Sequence, residues 1–133
     1  MKILIVEDNQ FATELIVEML KSFEVEYDTA CDGIKAIEKF KMSKNKEYDL
    51  VFMDVIMPEM NGFEAAEKIR ELDRPDAVTV PIIAVTAYTS NKAKSDLKAS
   101  GFNGMITKPI SFGSVKKMIE KYCEQQDAEF EWV

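Results

Sequence analysis

The sequence predicts an α/β fold in three layers, a doubly wound parallel sheet of five strands with helices on both faces. Apolar runs such as residues 2–6 and 50–53 lack the polar–apolar alternation of a half-exposed strand, which indicates strands buried on both faces. Segments with apolar residues at helical spacing separate these runs, and strands that alternate with helices pair in parallel through right-handed crossovers. A chain of 133 residues without a linker or repeat fits one such domain.

Each element has its own signal in the sequence. Residues 25–31 alternate in polarity and predict a strand nearer the sheet edge. An apolar stripe that starts at Phe11 predicts the first helix, and the segment around Pro75 predicts the end of the third. The helices are predicted to begin near residues 10, 34, 63, 91 and 112. The predicted strands are residues 2–6, 25–31, 50–54, 80–85 and 105–107.

Residue types at the predicted helix ends support these assignments. Asn9 and Ser111 can each accept a hydrogen bond from the first turn of the helix that follows. Gly101 lies just after the fourth helix, where a left-handed residue is favoured. Phe102 is then placed to pack on Leu97, the contact that accompanies a Schellman cap.

The composition excludes several classes of function. The net charge is −7, from 17 Lys and Arg against 24 Asp and Glu, which argues against nucleic-acid binding. The chain has no histidine, which removes Ser-His and Cys-His catalysis, and two cysteines are too few for a disulfide framework or a zinc site. No apolar run reaches membrane-spanning length and no signal peptide is visible. We therefore expect a cytoplasmic protein without membrane association and, from its charged helix surfaces, a monomer.

Polar side chains gather at the predicted carboxyl ends of the strands. Glu7 and Asp8 follow the first strand, Asp54 ends the third, Thr86 follows the fourth and Lys108 follows the fifth. Each alone has an ordinary explanation, such as a helix cap or a surface loop. Together, three converging carboxylates repel one another, a conflict that raised pKa values or a bound cation would relieve, and hard oxygen ligands suit Mg²⁺. A cation, an ammonium group and a hydroxyl around one carboxylate favour phosphoryl transfer to it.

The order and spacing of these motifs resemble the receiver domains of two-component response regulators, including single-domain chemotaxis regulators. The resemblance runs over residues 1–122, nearly the whole chain. It implies a flavodoxin-like sheet with strand order 2-1-3-4-5. The matching pieces are Ile5-Val6-Glu7-Asp8-Asn9, Phe52-Met53-Asp54, Met57-Pro58-Glu59-Met60-Asn61-Gly62, Pro81-Ile82-Ile83-Ala84-Val85-Thr86-Ala87 and Lys108-Pro109.

The resemblance also implies a ligand set and a reaction. Glu7, Asp8, Asp54 and the backbone carbonyl of Ile56 would bind Mg²⁺, with Mn²⁺ as a substitute. Asp54 would accept a phosphoryl group from a histidine on a partner, either a histidine kinase or a histidine phosphotransfer protein. The protein would thus be a signalling switch rather than an enzyme, catalysing only its own phosphorylation and dephosphorylation. The absence of histidine fits a donor that acts in trans.

Two further residues would read out the phosphoryl group. Thr86 and Lys108 would contact it, and the Lys108-Pro109 bond is expected to be cis. Phosphorylation would switch the face formed by the fourth helix, the fifth strand and the fifth helix, where a downstream target would bind.

The chain departs from the usual receiver pattern at three positions. Met105 stands where the family usually has an aromatic residue. Either Met105 plays a weaker version of that residue's role or, as we favour, switching is read out mostly through the Thr86 loop and the fourth helix. Ile56 and Tyr88 flank the path of the attacking water but offer no carboxamide or carboxylate to orient it. We therefore expect a long-lived aspartyl phosphate.

Other functions fit the sequence less well. A Mg²⁺-dependent phosphatase that forms an aspartyl phosphate needs a second acid two residues after the nucleophile, where this chain has Ile56. A flavin-binding module would need a phosphate-binding loop where this chain has the acids Glu7 and Asp8. A pseudo-receiver is disfavoured because all five functional positions are filled.

The organisation of the chain gives two further expectations. Residues 1–125 are expected to form the receiver domain, and residues 126–133 an acidic tail for which a frayed terminus is favoured over a docking or self-packing segment. Met1 directly before the first strand favours a stand-alone regulator or relay intermediate. A receiver segment cut from a hybrid sensor kinase is the alternative.

Overall fold

The computed structural model describes residues 1–57, 59–87, 90–124 and 131–132, and it confirms the α/β architecture. Six helices and six strands alternate along most of the described chain. The strands are β1 (Lys2–Val6), β2 (Glu26–Ala30), β3 (Leu50–Asp54), β4 (Ile82–Thr86), β5 (Gly104–Thr107) and β6 (Glu131–Trp132). The helices are α1 (Gln10–Leu20), α2 (Gly33–Met42), α3 (Gly62–Arg70), α4 (Pro75–Thr79), α5 (Asn91–Ala99) and α6 (Phe112–Glu124).

The sheet is parallel, with strand order β2-β1-β3-β4-β5-β6. The predicted order 2-1-3-4-5 is therefore correct for the first five strands, and β2 lies at an edge as expected. Side chains of the central strands alternate between two apolar layers. In β3, Val51 and Met53 belong to the layer packed on α2, α3 and α5, whereas Leu50 and Phe52 belong to the layer packed on α1 and α6. Burial on both faces explains why these strands show no alternation in sequence.

The helix ends form as predicted. The Asn9 side chain accepts a hydrogen bond from the Ala12 amide (3.0 Å), and Ser111 accepts one from Ser114 (3.1 Å). At the end of α5, Gly101 has φ 98°, and the Phe102 amide donates to the Leu97 carbonyl (3.0 Å). Together with the Gly101 amide, which donates to the carbonyl of Lys98 (3.1 Å), this is a complete Schellman motif.

The short helix α4 is a correction to the prediction that the segment around Pro75 only breaks a helix. Proline fits the first turn of a helix, because the amide that it lacks would have no partner there. Arg74 precedes it and pairs with the buried Asp76 through both carboxylate oxygens (2.6 and 2.8 Å). The same guanidinium donates to the Phe40 carbonyl (2.7 Å), which fastens α4 to the end of α2. The predicted fourth and fifth helices are consequently α5 and α6.

The second correction concerns the acidic tail. Glu131 pairs with Gly104 and Trp132 with Met105, so these two tail residues form a sixth strand beside β5 rather than part of a frayed terminus. The remaining tail, residues 125–130 and 133, lies outside the described residues. The division at residue 125 stays a prediction. Among the described helices, none combines the length and the apolar character that crossing a bilayer requires.

Candidate functional site

The strand register brings the predicted site residues to one edge of the sheet. Val6 pairs with Met53, so that Glu7 follows β1 beside the end of β3, where Asp54 is the last residue. Asp54 in turn pairs with Val85, one residue before Thr86 at the end of β4. Parallel strands that end together create the crevice in which such sheets bind ligands.

Three carboxylates meet in this crevice. Glu7, Asp8 and Asp54 can each present an oxygen such that these atoms all lie within 4.8 Å of one another. Glu7 and Asp54 are buried, with 7% and 6% of their surface exposed, whereas Asp8 is exposed. The predicted convergence is therefore present, and two of its three members have little access to water.

Burial beside another carboxylate disfavours the charged form of Glu7. Burial, followed by the hydrogen bond and charge of Asp54, raises the pKa of Glu7 to about 8, although Lys108 opposes the shift. One carboxylate oxygen of Glu7, Oε2, is buried and accepts no hydrogen bond within the described chain. A buried acceptor without a donor beside two further carboxylates fits a small hard cation that binds oxygen.

Lys108 supplies the nearest positive charge. Its Nζ lies 3.4 Å from Asp54 Oδ1 and 3.9 Å from Glu7 Oε1. Its backbone amide donates to the Thr86 carbonyl (2.9 Å), and the bond to Pro109 is cis, as expected. Thr86 itself is 2% exposed. The ammonium and the threonine therefore lie on adjoining strand ends beside Asp54.

The loop after Asp54 is held close to the acid. The Ile56 amide donates to Asp54 Oδ1 (3.3 Å), and the Ile56 side chain is 75% exposed. Gly62, the first residue of α3, donates to the Val55 carbonyl (2.8 Å). A Cβ atom on Gly62 would lie 2.8 Å from the Val55 Cα and closer still to the carbonyl oxygen of Asp54. The loop keeps its shape only because residue 62 has no side chain.

We expect the Gly62→Ala substitution to displace the Asp54–Val55 backbone and to lower the free energy of unfolding by about 1–3 kcal/mol, as overpacking usually does. Chemical denaturation measures this change. Gly113→Ala is the matched control, because a Cβ there meets nothing closer than Ser111 Oγ at 4.0 Å. Equal stability of the two variants would contradict the close approach at Gly62.

A groove of about 430 Å³ extends from the acids along α1. Its walls include Phe11 and Leu15 of α1 and Pro109 and Ile110 after β5. Phe11 is 77% and Leu15 41% exposed, so this part of the apolar stripe of α1 does not pack in the core. The sequence analysis missed this groove, because apolar spacing identifies a helix but not what covers each part of it.

The structure describes one of the two remaining predicted positions. Met105 is fully buried in the apolar layer that contains Leu97 and Phe102. Tyr88 lies outside the described residues, so its position beside the water path stays a prediction.

Comparison with known proteins agrees with this geometry. A family model described as the response regulator receiver domain matches residues 3–120. The chain belongs to this family. Receiver domains are signalling switches of two-component phosphorelays rather than dedicated enzymes. The family assignment confirms the resemblance drawn from the motifs around Glu7, Asp54 and Lys108.

Three relatives show where such domains occur. Over 125 residues, this receiver domain is 38% identical to the osmosensing histidine protein kinase SLN1 of Saccharomyces cerevisiae; the match covers 92% of this chain but 10% of that protein. The receiver domain of the sensor histidine kinase PA1611 from Pseudomonas aeruginosa, with a magnesium ion in its active-site cleft, is 27% identical with a TM-score of 0.82, covering 93% and 98% of the two chains.

The third is the receiver domain of Ssk1 from Saccharomyces cerevisiae, solved in complex with the histidine phosphotransfer protein Ypd1. It is 29% identical with a TM-score of 0.83, and the match covers 97% of this chain and 94% of that chain. Receiver domains thus occur within hybrid kinases and in complexes with phosphotransfer proteins.

Proposed function

We propose that Asp54 is the phosphoryl acceptor of this receiver domain and that Glu7, Asp8, Thr86 and Lys108 assist the transfer. One observation carries the proposal: the buried Asp54 carboxylate lies 3.4 Å from the Lys108 ammonium, within an acid cluster whose ligand atoms span 4.8 Å. This is an acceptor with a fixed positive charge beside it, and that charge can neutralise negative charge on the transferred group.

The reaction is a displacement at phosphorus. A carboxylate oxygen of Asp54 attacks the phosphorus of a phosphohistidine on the partner, the P–N bond breaks and its electron pair returns to the imidazole nitrogen. Lys108 stabilises negative charge on the phosphoryl oxygens, and the Thr86 hydroxyl, at the end of β4, donates to one of them. No residue of this chain has to act as a general acid.

Glu7, Asp8, Asp54 and the backbone carbonyl of Ile56 are the proposed Mg²⁺ ligands, with Mn²⁺ as a substitute. The unsatisfied Glu7 Oε2 and the hard oxygen donors support this assignment. When bound, Mg²⁺ supplies positive charge that the acids lack and that a phosphoryl group needs. The same charge would keep Glu7 ionised despite its burial.

Phosphotransfer measures the proposal directly. A histidine phosphotransfer protein carrying radiolabelled phosphate is mixed with the receiver domain in Mg²⁺ or in EDTA. We expect label to move to the receiver only with Mg²⁺ and to be released by hydroxylamine, as an acyl phosphate is. Label that persists after hydroxylamine, or that moves equally in EDTA, would contradict the proposal.

We also propose that the groove beside the site receives the phosphodonor, whether a histidine kinase or a histidine phosphotransfer protein. The exposed side chains of Phe11 and Leu15 and the half-buried Ile110 line this groove together with Asp54. Exposed apolar surface at a site rim is typical of a docking surface. The face formed by α5, β5 and α6 is the proposed target-binding face.

We expect Phe11→Ala to slow phosphotransfer from a protein donor roughly tenfold or more, since a central aromatic contact is typically worth at least 2 kcal/mol. The rate with the small donor phosphoramidate should not change. Met42→Ala is the control, because Met42 is 87% exposed at the far end of α2. A Phe11→Ala variant that loses both rates equally would show damage to the site rather than to docking.

The lifetime of the aspartyl phosphate is a separate prediction. The side chain of Ile56 has no polar group that could orient the attacking water. One well-placed hydrogen bond to that water, worth about 1 kcal/mol, would change the rate of hydrolysis of the aspartyl phosphate by roughly fivefold to tenfold. We expect Ile56→Asn to shorten the lifetime by that factor and Ile56→Val to leave it unchanged. Decay of radiolabel with Mg²⁺ present measures both. Loss of label from the wild-type protein within seconds would refute a long-lived phosphate.

The alternative function is a Mg²⁺-dependent phosphatase that forms an aspartyl phosphate. The exposed, apolar Ile56 argues against it, because such an enzyme needs an acid at that position. A stand-alone regulator or relay intermediate stays the prediction, with a receiver segment of a hybrid kinase as the alternative. Its cytoplasmic location, monomeric state and lack of nucleic-acid binding stay predictions.

A further inference from the structure

The strand β6 lies on the proposed target-binding face. In the sheet order, β5 would be the edge strand if β6 were not paired with it. The pairing covers Gly104 and Met105 and stops before Ile106, so it occupies half of β5. Unpaired strand edges are templates for pairing with another extended chain. The chain's own Glu131 and Trp132 therefore take a position that a partner segment could also take.

The end of the chain and the segment that contains β5 carry opposite net charges. Residues 91–124, which include α5, β5 and α6, carry seven lysines and three acids, although the whole chain has a net charge of −7. Residues 125–133 carry three acids and no basic residue. Glu131 and Trp132, which belong to this acidic segment, thus pair with the edge strand of a part of the chain that carries a net positive charge. Opposite charge favours this docking and selects against basic segments.

The paired strand is short enough to be exchanged. Two residues in a ladder make few hydrogen bonds, each of which contributes little beyond what water offers. The same β5 runs directly into Lys108, whose ammonium contacts Asp54. The occupied edge therefore belongs to the strand that leads into the phosphoryl-acceptor site.

We propose that Glu131 and Trp132 form a displaceable mask on β5, and that an acidic, extended segment of a target protein binds this receiver by replacing them. The mask rests on the proposed function in one respect, since the α5–β5–α6 face must be the one that binds targets. Because β6 belongs to the same chain, it is present at a high effective concentration. It therefore lowers the apparent affinity of any other segment that competes for the edge of β5. Removing the mask should strengthen target binding without any change at Asp54.

Peptide binding to the full chain tests the mask. The probe is a fluorescein-labelled peptide of residues 127–133, Asp-Ala-Glu-Phe-Glu-Trp-Val, followed by fluorescence anisotropy. The mask is removed by combining Glu131→Pro with Trp132→Pro, because proline cannot donate to a ladder. We expect this variant to bind the peptide roughly tenfold more tightly than the wild type, and high salt to weaken the binding. Glu131→Asp, which keeps the backbone donors and the negative charge, should stay near the wild type.

Several outcomes would overturn the mask. Equal affinity of the wild type and the double proline variant would do so, as would equal affinity of that variant and Glu131→Asp. A wild-type dimer that disappears in the double proline variant would show that β6 is exchanged between copies instead. Circular dichroism confirms that each variant is folded. Tighter binding by the variant without any beryllofluoride response in the wild type would overturn the proposed function and support the mask.

Discussion

Asp54→Asn is expected to abolish phosphoryl acceptance, with less than about 1% of the wild-type label after the same exposure to a phosphohistidine donor, since losing the nucleophile removes the covalent step itself. The amide keeps the size of the side chain but cannot form an acyl phosphate. Removing one of the three converging charges should also relieve repulsion in the cluster, so we expect the variant to be folded and no less stable than the wild type. Phosphotransfer and denaturation on the same samples measure both effects.

Asp49→Asn is the matched control. Asp49 immediately precedes β3, at the opposite end from Asp54, and accepts a hydrogen bond from the backbone amide of Lys2 (2.9 Å). This substitution should cost some stability and leave phosphorylation intact. If Asp54→Asn still took up acid-stable or hydroxylamine-sensitive label at the wild-type rate, the acceptor would have to be another residue.

Substitution of Glu7 is expected to have the second large effect. Relative to the wild type, it should raise the free energy of unfolding in EDTA and lower it in Mg²⁺. Because the pKa of Glu7 is about 8 in the folded chain and near 4.3 in an unfolded one, the folded state holds the proton more tightly. The stabilisation is complete below the unfolded pKa and is lost as pH rises toward 8. In EDTA, the free energy of unfolding should fall by on the order of a few kcal/mol between about pH 5 and pH 8.

Glu7→Gln removes this titration. In EDTA at pH 8, we expect the variant to be more stable than the wild type and its stability to vary less with pH. Adding Mg²⁺ should stabilise the wild type and have little effect on the variant, because a carboxylate ligand is gone. Urea denaturation at a series of pH values, with and without Mg²⁺, makes the comparison. Glu14→Gln, on the exposed surface of α1, should follow the wild type throughout; a Glu7→Gln profile that also follows it would contradict the pKa assignment.

The features that could be predicted from sequence are those fixed by local chemistry. The strand Leu50–Asp54 has the predicted bounds because full burial leaves an unbroken apolar run, and the acid that ends it marks the sheet edge. The Schellman end of α5 follows from a glycine and the apolar residue after it. The convergence of Glu7 with Asp54 followed from parallel strands that end together.

The features that were missed depend on contacts distant in sequence. The helix α4 is held by Arg74, which reaches the carbonyl of Phe40 at the end of α2. Nothing local marks Glu131 and Trp132 as a strand, because two residues gain their conformation only from pairing with β5. The exposure of Phe11 depends on which elements leave it uncovered, and helical spacing is the same for a core face and a docking face.

Beryllofluoride, a stable substitute for the phosphoryl group, tests the central claim most directly. Titration in the presence of Mg²⁺, followed by backbone amide shifts, should give saturable changes at Asp54, Thr86 and Lys108. The changes should extend along β5, and they should be absent from the Asp54→Asn variant and from samples in EDTA. An Asp54→Asn variant that responds like the wild type would contradict the assignment of Asp54 as the phosphoryl acceptor.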